Sequence, residues 1–501
     1  MRTFFQILMY MGGIALVVWT IGSIISRYSH RFVSYMPKFF SPRLLVLIAI
    51  FSLGLLFVIG CWILSDYPYN DLPSKFTPQE QYKQAEKICR RRFFKKGNKA
   101  KALKWFEHSA EAGCADAQFA LGEIYENGEL NLSINEIESL KWYQRAAEQD
   151  HVEALCALVS FYANGQGGLS VDYKAAFSYL EKAAANGFPK AQKAVGDFYR
   201  TGEIIGEKNI QEAIKYYGLA AAQGNADALF ELYCIYRNGE EGIEANQDIA
   251  ETYLNRAAES GSLSAMVDLG CCYLKGEIGF VKNPQKAFDW FKKAAEQGDK
   301  VAQYNLGVMY ANGRGVPLDY KKARKWFVKA AAQGYADAQF NLGVMYANGR
   351  GVKQDYAEAV KWYSLAAEQG DAPAQSNLGF MYANGQGVKK DYAEAVKWYR
   401  QAVEQGYATA QNNLGAMYAS GRGVKQDYAE TVKWYRLAAE QGNATAQNNL
   451  GFMYEDGQGV KQDYAEAVKW YRQAAEQGDE EAKKALERLN QKTNNEQKKE
   501  E

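Results

Sequence analysis

Apolar residues recur along most of this chain at the spacing of an amphipathic α-helix. Between Ala302 and Tyr310 the apolar positions fall at i, i+4, i+7 and i+8, on one stripe of a helix with 3.6 residues per turn. A Gly-rich turn and a second helix-like segment follow, and the whole block repeats every 36 residues between Asp299 and Gly478. A fixed period of this size predicts stacked helix-turn-helix units rather than one globular core.

The pattern extends towards the N-terminus with more variation. The second helix of each block carries a tryptophan or a tyrosine, and upstream of Trp290 this position recurs in steps of 37 residues, at Trp142, Tyr179, Tyr216 and Tyr253. The extra residue falls in the loop between the two helices, where insertions are tolerated best. We therefore predict an all-α fold, an α/α solenoid of ten helix-turn-helix repeats of 36–37 residues over residues 115–478.

Two degenerate copies and a tail flank the predicted array. Residues 78–114 are predicted to form a degenerate repeat that acts as an N-terminal capping repeat. A polar linker precedes it at residues 66–77. Residues 479–490 form a C-terminal capping helix, whose polar residues suit the outer face of a solenoid end. Residues 491–501 lack apolar side chains, which predicts disorder.

Two sets of residues are expected to hold each repeat together. The tryptophan of the second helix is expected to be buried, and truncating it to Ala to cost about 3–5 kcal/mol. The glycine of the first helix is expected to let a neighbouring helix approach closely, at a propensity cost of ~1 kcal/mol. Asp319 and its equivalents are placed to cap the second helix. The structural positions are Trp290, Trp326, Trp362, Trp398, Trp434 and Trp470, with Gly307, Gly343, Gly379, Gly415 and Gly451.

Before the repeats, two long runs carry no charged side chain. They cover residues 4–26 and 44–64, and ~20 apolar residues suffice to cross a ~30 Å hydrocarbon core. We therefore predict that residues 1–65 form a hairpin of two transmembrane helices that anchors the chain in a lipid bilayer. A cleaved signal peptide is the alternative for the first run, but that run is too long and a second apolar run follows at once.

The side of the membrane that carries the repeats is open. Four basic residues between positions 27 and 43 favour a cytoplasmic loop, and therefore repeats on the external, periplasmic side of a bacterial inner membrane. A basic run from Arg90 to Lys104 and the cysteines of the repeats favour the cytoplasmic side instead. We expect the external side and keep the cytoplasmic side as the alternative.

Composition gives no positive indication of chemistry. The chain has 501 residues and a net charge of +1, so its overall charge does not indicate binding to nucleic acid. Its seven Cys form no CxxC pair, and three His leave little for a metal centre or a catalytic triad. The GRG and GQG sequences are turns of the repeat, since no strand precedes them as in phosphate loops. We therefore predict no catalytic residue, no cofactor, no metal and no enzymatic activity.

The repeated block reads A-x-x-x-L-G-x-x-Y-x-x-G-x-G-V-x-x-D-x-x-x-A-x-x-W-Y-x-x-A-A-x-x-G. Over residues 78–490 this pattern resembles the Sel-one-like repeat, a relative of the tetratricopeptide repeat. The resemblance implies an α/α superhelix that serves as a protein-binding adaptor, with the first helix of each repeat lining the concave side. Some repeats nearer the N-terminus depart from the pattern, because Val159 and Tyr233 replace the glycine of the first helix.

On a helical wheel, one face of the first helix points away from the main apolar stripe. An Asn recurs on this face just before the Leu-Gly pair, and in the tetratricopeptide relatives such an Asn often hydrogen-bonds the backbone of a bound peptide. Neighbouring aromatic side chains could anchor a partner. The candidate partner-binding residues are Asn305, Asn341, Asn377, Asn413, Asn449, Tyr304, Phe340, Phe380 and Phe452. The alternative is that the Asn residues brace adjacent helices or are inherited from recent duplication.

These observations together indicate a function. We expect a membrane-anchored scaffold that binds a protein partner of unknown identity along the concave face of its repeats, and that does not bind nucleic acid. Two alternatives stay open. The chain could be a non-catalytic regulatory or structural subunit of an envelope enzyme complex, or it could self-associate through its near-identical repeats.

Overall fold

A computed structural model describes residues 76–89 and 96–500 of the chain. These residues form 23 α-helices, and one isolated β-bridge joins Glu240 to Ile243. The helices are α1 (Pro78–Cys89), α2 (Lys96–Glu111), α3 (Ala115–Asn127), α4 (Glu136–Ala147), α5 (Val152–Asn164), α6 (Tyr173–Ala185), α7 (Pro189–Thr201), α8 (Ile210–Ala222), α9 (Ala226–Asn238), α10 (Gln247–Glu259), α11 (Leu263–Lys275), α12 (Pro284–Glu296), α13 (Lys300–Asn312), α14 (Tyr320–Ala332), α15 (Ala336–Asn348), α16 (Tyr356–Glu368), α17 (Ala372–Asn384), α18 (Tyr392–Glu404), α19 (Ala408–Ser420), α20 (Tyr428–Glu440), α21 (Ala444–Asp456), α22 (Tyr464–Glu476) and α23 (Glu480–Glu500).

The chain divides into two units between Cys114 and Ala115. In the first unit α1 packs against α2, and the Ser109 hydroxyl donates a hydrogen bond to the Pro78 carbonyl oxygen at 2.5 Å. In the second unit α3 to α22 form ten helical hairpins, numbered hairpin 1 (α3 and α4) to hairpin 10 (α21 and α22), and α23 packs against α22. We call the first helix of each hairpin helix A and the second helix B. The prediction of an all-α solenoid of repeats is confirmed.

The membrane-related part of the prediction is corrected. None of the helices in the described ranges, 76–89 and 96–500, is long and apolar enough to cross a bilayer. This finding contradicts the prediction of two transmembrane helices and of an integral membrane location. The spans named for them, 4–26 and 44–64, lie outside the described residues.

Short polar signals set the ends of the helices. The Asp355 carboxylate accepts hydrogen bonds from the backbone N–H groups of Ala357 and Glu358, both at 3.0 Å, so it caps α16. Asp319 caps α14 in the same way through Lys322 N at 2.9 Å, which confirms the expected capping role. Helix α15 ends at Gly349, whose φ of 68° lies in the left-handed region that favours glycine.

An aromatic side chain of helix B fills the core of most hairpins by packing on the glycine of helix A. In hairpin 7 the buried ring of Tyr363 lies against Gly343, and a Cβ built on this glycine would stand 2.5 Å from two ring carbons. The tryptophan expected to be buried is only half-buried. Trp362 points about 100° away from Tyr363 around the helix and packs against a cluster formed by α14 of the preceding hairpin and α15 of its own. The fully buried aromatic residue is thus the one after the tryptophan.

In two hairpins the residue at the glycine position of helix A is larger, and the residue at the position of the buried aromatic ring of helix B is a leucine. In hairpin 2 Val159 takes the glycine position and a leucine, Leu180, takes the position of the buried aromatic residue. In hairpin 4 Tyr233 is opposed in the same way by Leu254, and both side chains are buried. In both hairpins a larger residue at the glycine position is thus accompanied by a leucine, smaller than an aromatic ring, on helix B, which leaves space for it in a closely packed interior.

A ladder of buried glutamines joins successive hairpins. Gln339 of α15 donates to the carbonyl oxygen of Ala331 in the preceding hairpin at 3.3 Å. Its own side-chain oxygen accepts from Gln369, which follows α16, at 2.7 Å. Gln303, Gln375 and Gln447 likewise donate to a carbonyl oxygen of the preceding hairpin. Their side-chain oxygens accept from Gln333, Gln405 and Gln477 in the same way. Because a buried amide is costly unless its hydrogen bonds are made, this ladder fixes the register between hairpins.

Candidate functional site

The five candidate Asn residues lie at the same position of helix A in hairpins 6 to 10, namely in α13, α15, α17, α19 and α21. All five side chains are half-buried. We call this side of helix A, which also carries the positions of Tyr304 and Val308 and their equivalents, the A-face. Residues three positions apart on a helix share a face, so Asn377 and Phe380 lie on the same surface.

The amide groups of these Asn residues are partly used inside the array. Asn305 donates to the carbonyl oxygen of Val301 at 3.0 Å, and Asn341 donates to that of Asp337 at 2.8 Å. Asn449 donates to the side-chain oxygen of Asn412 in the preceding hairpin at 3.0 Å. The last contact is the bracing of adjacent helices that the sequence left open as an alternative.

The aromatic candidates separate into two pairs. The Tyr304 ring lies 5.1 Å from that of Tyr335, and the Phe340 ring lies 5.9 Å from that of Tyr363, so both pack on the body of the array. Phe380 and Phe452 instead point outwards, with 49% and 44% of their surface exposed. Only this second pair offers a large apolar surface to a partner.

The A-face in hairpins 6 to 10 carries few charges. The five A helices contain four charged side chains, namely Lys300 at the start of the first, Asp337, and Glu455 and Asp456 at the end of the last. The B helices of the same hairpins carry Lys and Arg throughout, for example Lys397, which pairs with Glu394 at 3.0 Å. Charged side chains therefore lie mostly on the B helices, and the A-face offers amide, apolar and aromatic groups.

Upstream, the same helix A positions hold a network of charged side chains. Lys193 and Arg200 of α7 pair with Glu231 of α9, and Arg200 also binds Glu240 in the following loop. Asp197 accepts hydrogen bonds from Lys193 at 2.7 Å and from the buried hydroxyl of Tyr217 at 2.8 Å. These residues line a cavity of about 750 Å³.

The electrostatics of this cavity indicate a joint between hairpins rather than a reactive centre. Burial alone would lower the pKa of Arg200, but the hydrogen bonds and charges of Glu240 and the charge of Glu231 outweigh it and raise the pKa further. Burial raises the pKa of the Tyr217 hydroxyl, and the nearby Asp197 adds to this effect. The Arg200 guanidinium is matched by Glu231 and Glu240 from other elements, an arrangement that sequence patterns did not reveal.

Other chemistry-bearing groups in the described part of the chain are isolated or inactive. No three His, Cys, Asp or Glu side chains among residues 76–89 and 96–500 are placed to hold a metal ion. Burial raises the pKa of the thiols of Cys234 and Cys272 to about 11, so both stay protonated at neutral pH and are poor nucleophiles.

Comparison with known proteins identifies the repeat. The Sel1 repeat model matches residues 93–114, 115–151, 152–188, 189–225, 226–262, 263–299, 300–335, 336–371, 372–407, 408–443 and 444–479. The resemblance noted in the sequence is thereby confirmed.

Solved structures include similar repeat proteins. The antigen c5321, described as a protective antigen of uropathogenic Escherichia coli strains with an SLR fold, is 32% identical, with a TM-score of 0.45; the match covers 78% of this chain and 90% of that one. A Sel1 repeat protein from Oxalobacter formigenes is 36% identical over 62% of this chain and 89% of that one, with a TM-score of 0.48. A comparison with curated proteins gave no match. The chain belongs to the Sel1 repeat family.

Proposed function

We propose that this chain is a scaffold that binds a partner polypeptide along the A-face of hairpins 6 to 10. Sel1 repeat proteins are generally protein-interaction scaffolds and are typically not catalytic. The observation that carries the proposal is the pair of outward-pointing rings, Phe380 and Phe452, at the same position of two A helices on a surface with few charges. Large exposed apolar side chains on a water-soluble surface are typical of interaction sites.

The Asn residues supply the polar part of this surface. An amide side chain has two N–H groups and one oxygen, and Asn305 and Asn341 each use an N–H group to bind their own helix. At Asn305 a bound backbone would meet the remaining N–H group and the side-chain oxygen. Asn341 and Asn377 also hydrogen-bond the hydroxyls of Tyr304 and Tyr363, so they have less capacity left for a partner. In this proposal the Asn row binds the main chain of the partner, and the two phenylalanines bind its apolar side chains.

The repeats also explain how modest contacts would suffice. The aromatic-glycine contact packs the two helices of a hairpin together, and the glutamine ladder fixes that hairpin against the preceding one, so the A-face is ordered before a partner arrives. A surface that is already ordered loses little conformational entropy on binding. Contacts spread over five hairpins can then add up without any one of them being strong.

The test uses the full-length chain and a matched control. Phe380→Ala/Phe452→Ala removes the two exposed rings of the A-face, and Leu365→Ala/Leu437→Ala removes two side chains of helix B with 44% and 39% exposure. Partners captured by the unmodified chain are identified by mass spectrometry, and we expect them to be retained by the control and lost by the phenylalanine variant. Equal recovery by both variants would overturn the proposal. Thermal unfolding checks that both variants fold, because surface substitutions usually change stability by only ~0.5 kcal/mol.

A further inference from the structure

Helix α14, the B helix of hairpin 6, has five basic residues and no acidic residue. Four of the basic side chains, those of Lys321, Lys322, Lys325 and Lys329, are exposed. Hairpin 6 as a whole, residues 300–335, contains seven basic residues and one acidic residue, a net charge of +6 in a chain whose total charge is +1. This positive surface lies on a B helix and is separate from the A-face candidates.

The four B helices that follow α14 show how unusual this charge is. In each of them the lysine equivalent to Lys325 pairs with a glutamate three residues earlier, as Lys433 pairs with Glu430 at 3.0 Å. In α14 this glutamate is replaced by Lys322, and the position of Lys321 is an alanine in the other four helices. Lys322 pairs instead with the capping Asp319 at 3.5 Å. Helix α14 itself contains no acidic residue to balance Lys321, Lys325 and Lys329.

Stability does not account for this composition. Lysines spaced three and four residues apart repel one another on a helix, as Lys321, Lys325 and Lys329 must do. Arg324 occupies the position of the buried Val360 in α16, and its Nε atom is buried with no hydrogen-bond partner among the described residues. The repulsion between the lysines disfavours the folded helix, and an acidic partner outside the helix would offset it.

Hairpin 1 has the opposite character. Residues 115–151 contain eight acidic and two basic residues, a net charge of −6. Glu123, Glu129 and the adjacent Glu153 all expose side-chain surface. Partial burial of the Glu123 carboxyl raises its pKa, and the nearby charges of Glu129, Glu126 and Glu153 raise it further. Like charges in such proximity are relieved by a positive partner.

Both hairpins also expose apolar side chains beside their charges. Hairpin 1 exposes Ile134 and Ile137, and hairpin 6 exposes Leu318 and Val328. An apolar contact within a polar, charged rim is the usual anatomy of a protein interface. Hairpin 4, residues 226–262, also has a net charge of −6, but its Glu231 and Glu240 are already paired with Arg200.

We propose that α14 of one copy of this chain binds hairpin 1 of a second copy. The lysines of α14 face the glutamates of hairpin 1 across the contact, and the exposed apolar residues of both hairpins lie inside it. The two contacting surfaces, α14 and hairpin 1, are different parts of the chain. The contact can therefore form twice in a closed two-fold dimer, or once between each pair of neighbouring copies in an open assembly. This self-association does not depend on the proposed binding of a partner at the A-face.

The first arm of the test reverses the charge of α14 in the full-length chain. Two preparations with different tags are mixed, and their apparent dissociation constant is measured at about 50 mM and about 500 mM salt, which shortens the screening length severalfold. For Lys321→Glu/Lys325→Glu/Lys329→Glu we expect association at least about tenfold weaker at low salt. The matched control, Lys361→Glu/Lys397→Glu/Lys433→Glu, makes the same change in charge at lysines that pair with glutamates, and we expect less than about a twofold change.

The second arm is a charge exchange between copies. A chain carrying Glu123→Lys/Glu129→Lys/Glu153→Lys is mixed with the α14 variant, and association is expected to return to within about threefold of the unmodified pair at low salt. The proposal is overturned if the two lysine variants weaken association equally, if the unmodified chain shows no salt-dependent association, or if the exchange does not restore it. The proposal is also overturned if the α14 variant associates with itself as strongly as the unmodified chain does but no longer binds a different, acidic protein, because α14 would then serve that other protein. Circular dichroism establishes that each variant remains helical.

Discussion

The contact between the glycine of helix A and the aromatic ring of helix B makes the sharpest stability prediction. In Gly343→Ala the new Cβ would lie 2.5 Å from two carbons of the buried Tyr363 ring, about 1 Å short of the 3.4–4 Å of an ordinary contact. Overpacking of this kind costs about 3 kcal/mol at the upper end of its range, and alanine gains about 1 kcal/mol over glycine in helix propensity. We therefore expect Gly343→Ala to lower local stability by about 2 kcal/mol.

Gly218→Ala is the matched control. Gly218 also lies inside a helix, but no atom stands within 4 Å of a Cβ built on it, so only the propensity gain of about 1 kcal/mol should remain. Tyr363→Leu should rescue Gly343→Ala, because Leu180 and Leu254 stand opposite bulkier residues in hairpins 2 and 4.

Native-state hydrogen exchange of α15, α16 and α8 in the full-length chain measures these effects, because a solenoid can open locally. The cycle of Gly343→Ala and Tyr363→Leu should show a favourable coupling of at least ~1 kcal/mol. Two results would refute the packing argument: Gly343→Ala as stable as Gly218→Ala, or strictly additive effects of the two substitutions.

Three further predictions follow from single contacts. Asp355→Ala should lower the stability of α16 by about 1 kcal/mol, visible as faster amide exchange in that helix, because it removes the cap. Trp362→Ala should lower the melting temperature less than Tyr363→Ala, because the tryptophan is half-buried and the tyrosine is buried. Glu123→Gln should raise the melting temperature at neutral pH but not below about pH 4. Folding raises the pKa of this carboxyl above 4.5, which destabilises the folded state only at pH values where the carboxyl is ionised in the unfolded chain. An equal gain at both pH values would contradict this assignment.

Much of the fold could be predicted because the same sequence pattern occurs in ten successive repeats. The Asp before each later B helix and the glycine after helix A each act through neighbours a few residues away, and such local signals are readable in a sequence. The prediction took Trp362 rather than Tyr363 as the buried residue, because one repeat alone does not distinguish two large aromatic side chains that differ only in their direction around the helix. The opposition of Val159 to Leu180 and of Tyr233 to Leu254 was a signal in the sequence that could have corrected it.

The candidate site was less accessible to sequence reasoning. The Asn row lies at one helix position as expected, but the contacts of Asn449 with the preceding hairpin depend on packing that only coordinates provide. The pairing of Arg200 with Glu231 and Glu240 joins three different elements, and no local pattern indicates it. The charge of hairpin 6 was present in the sequence, but the chain total of +1 conceals it.

The measurement that tests the scaffold function most directly is site-specific photo-crosslinking from the A-face. A photoreactive phenylalanine analogue replaces Phe380 in one full-length preparation and Leu365, of similar exposure on helix B, in another. We expect a partner polypeptide to be crosslinked from position 380 and not from position 365, and the crosslink yield from position 380 to fall when Phe452 is replaced by Ala. Crosslinks of equal yield from both positions, or none from position 380 while partners still co-purify with the chain, would contradict this expectation.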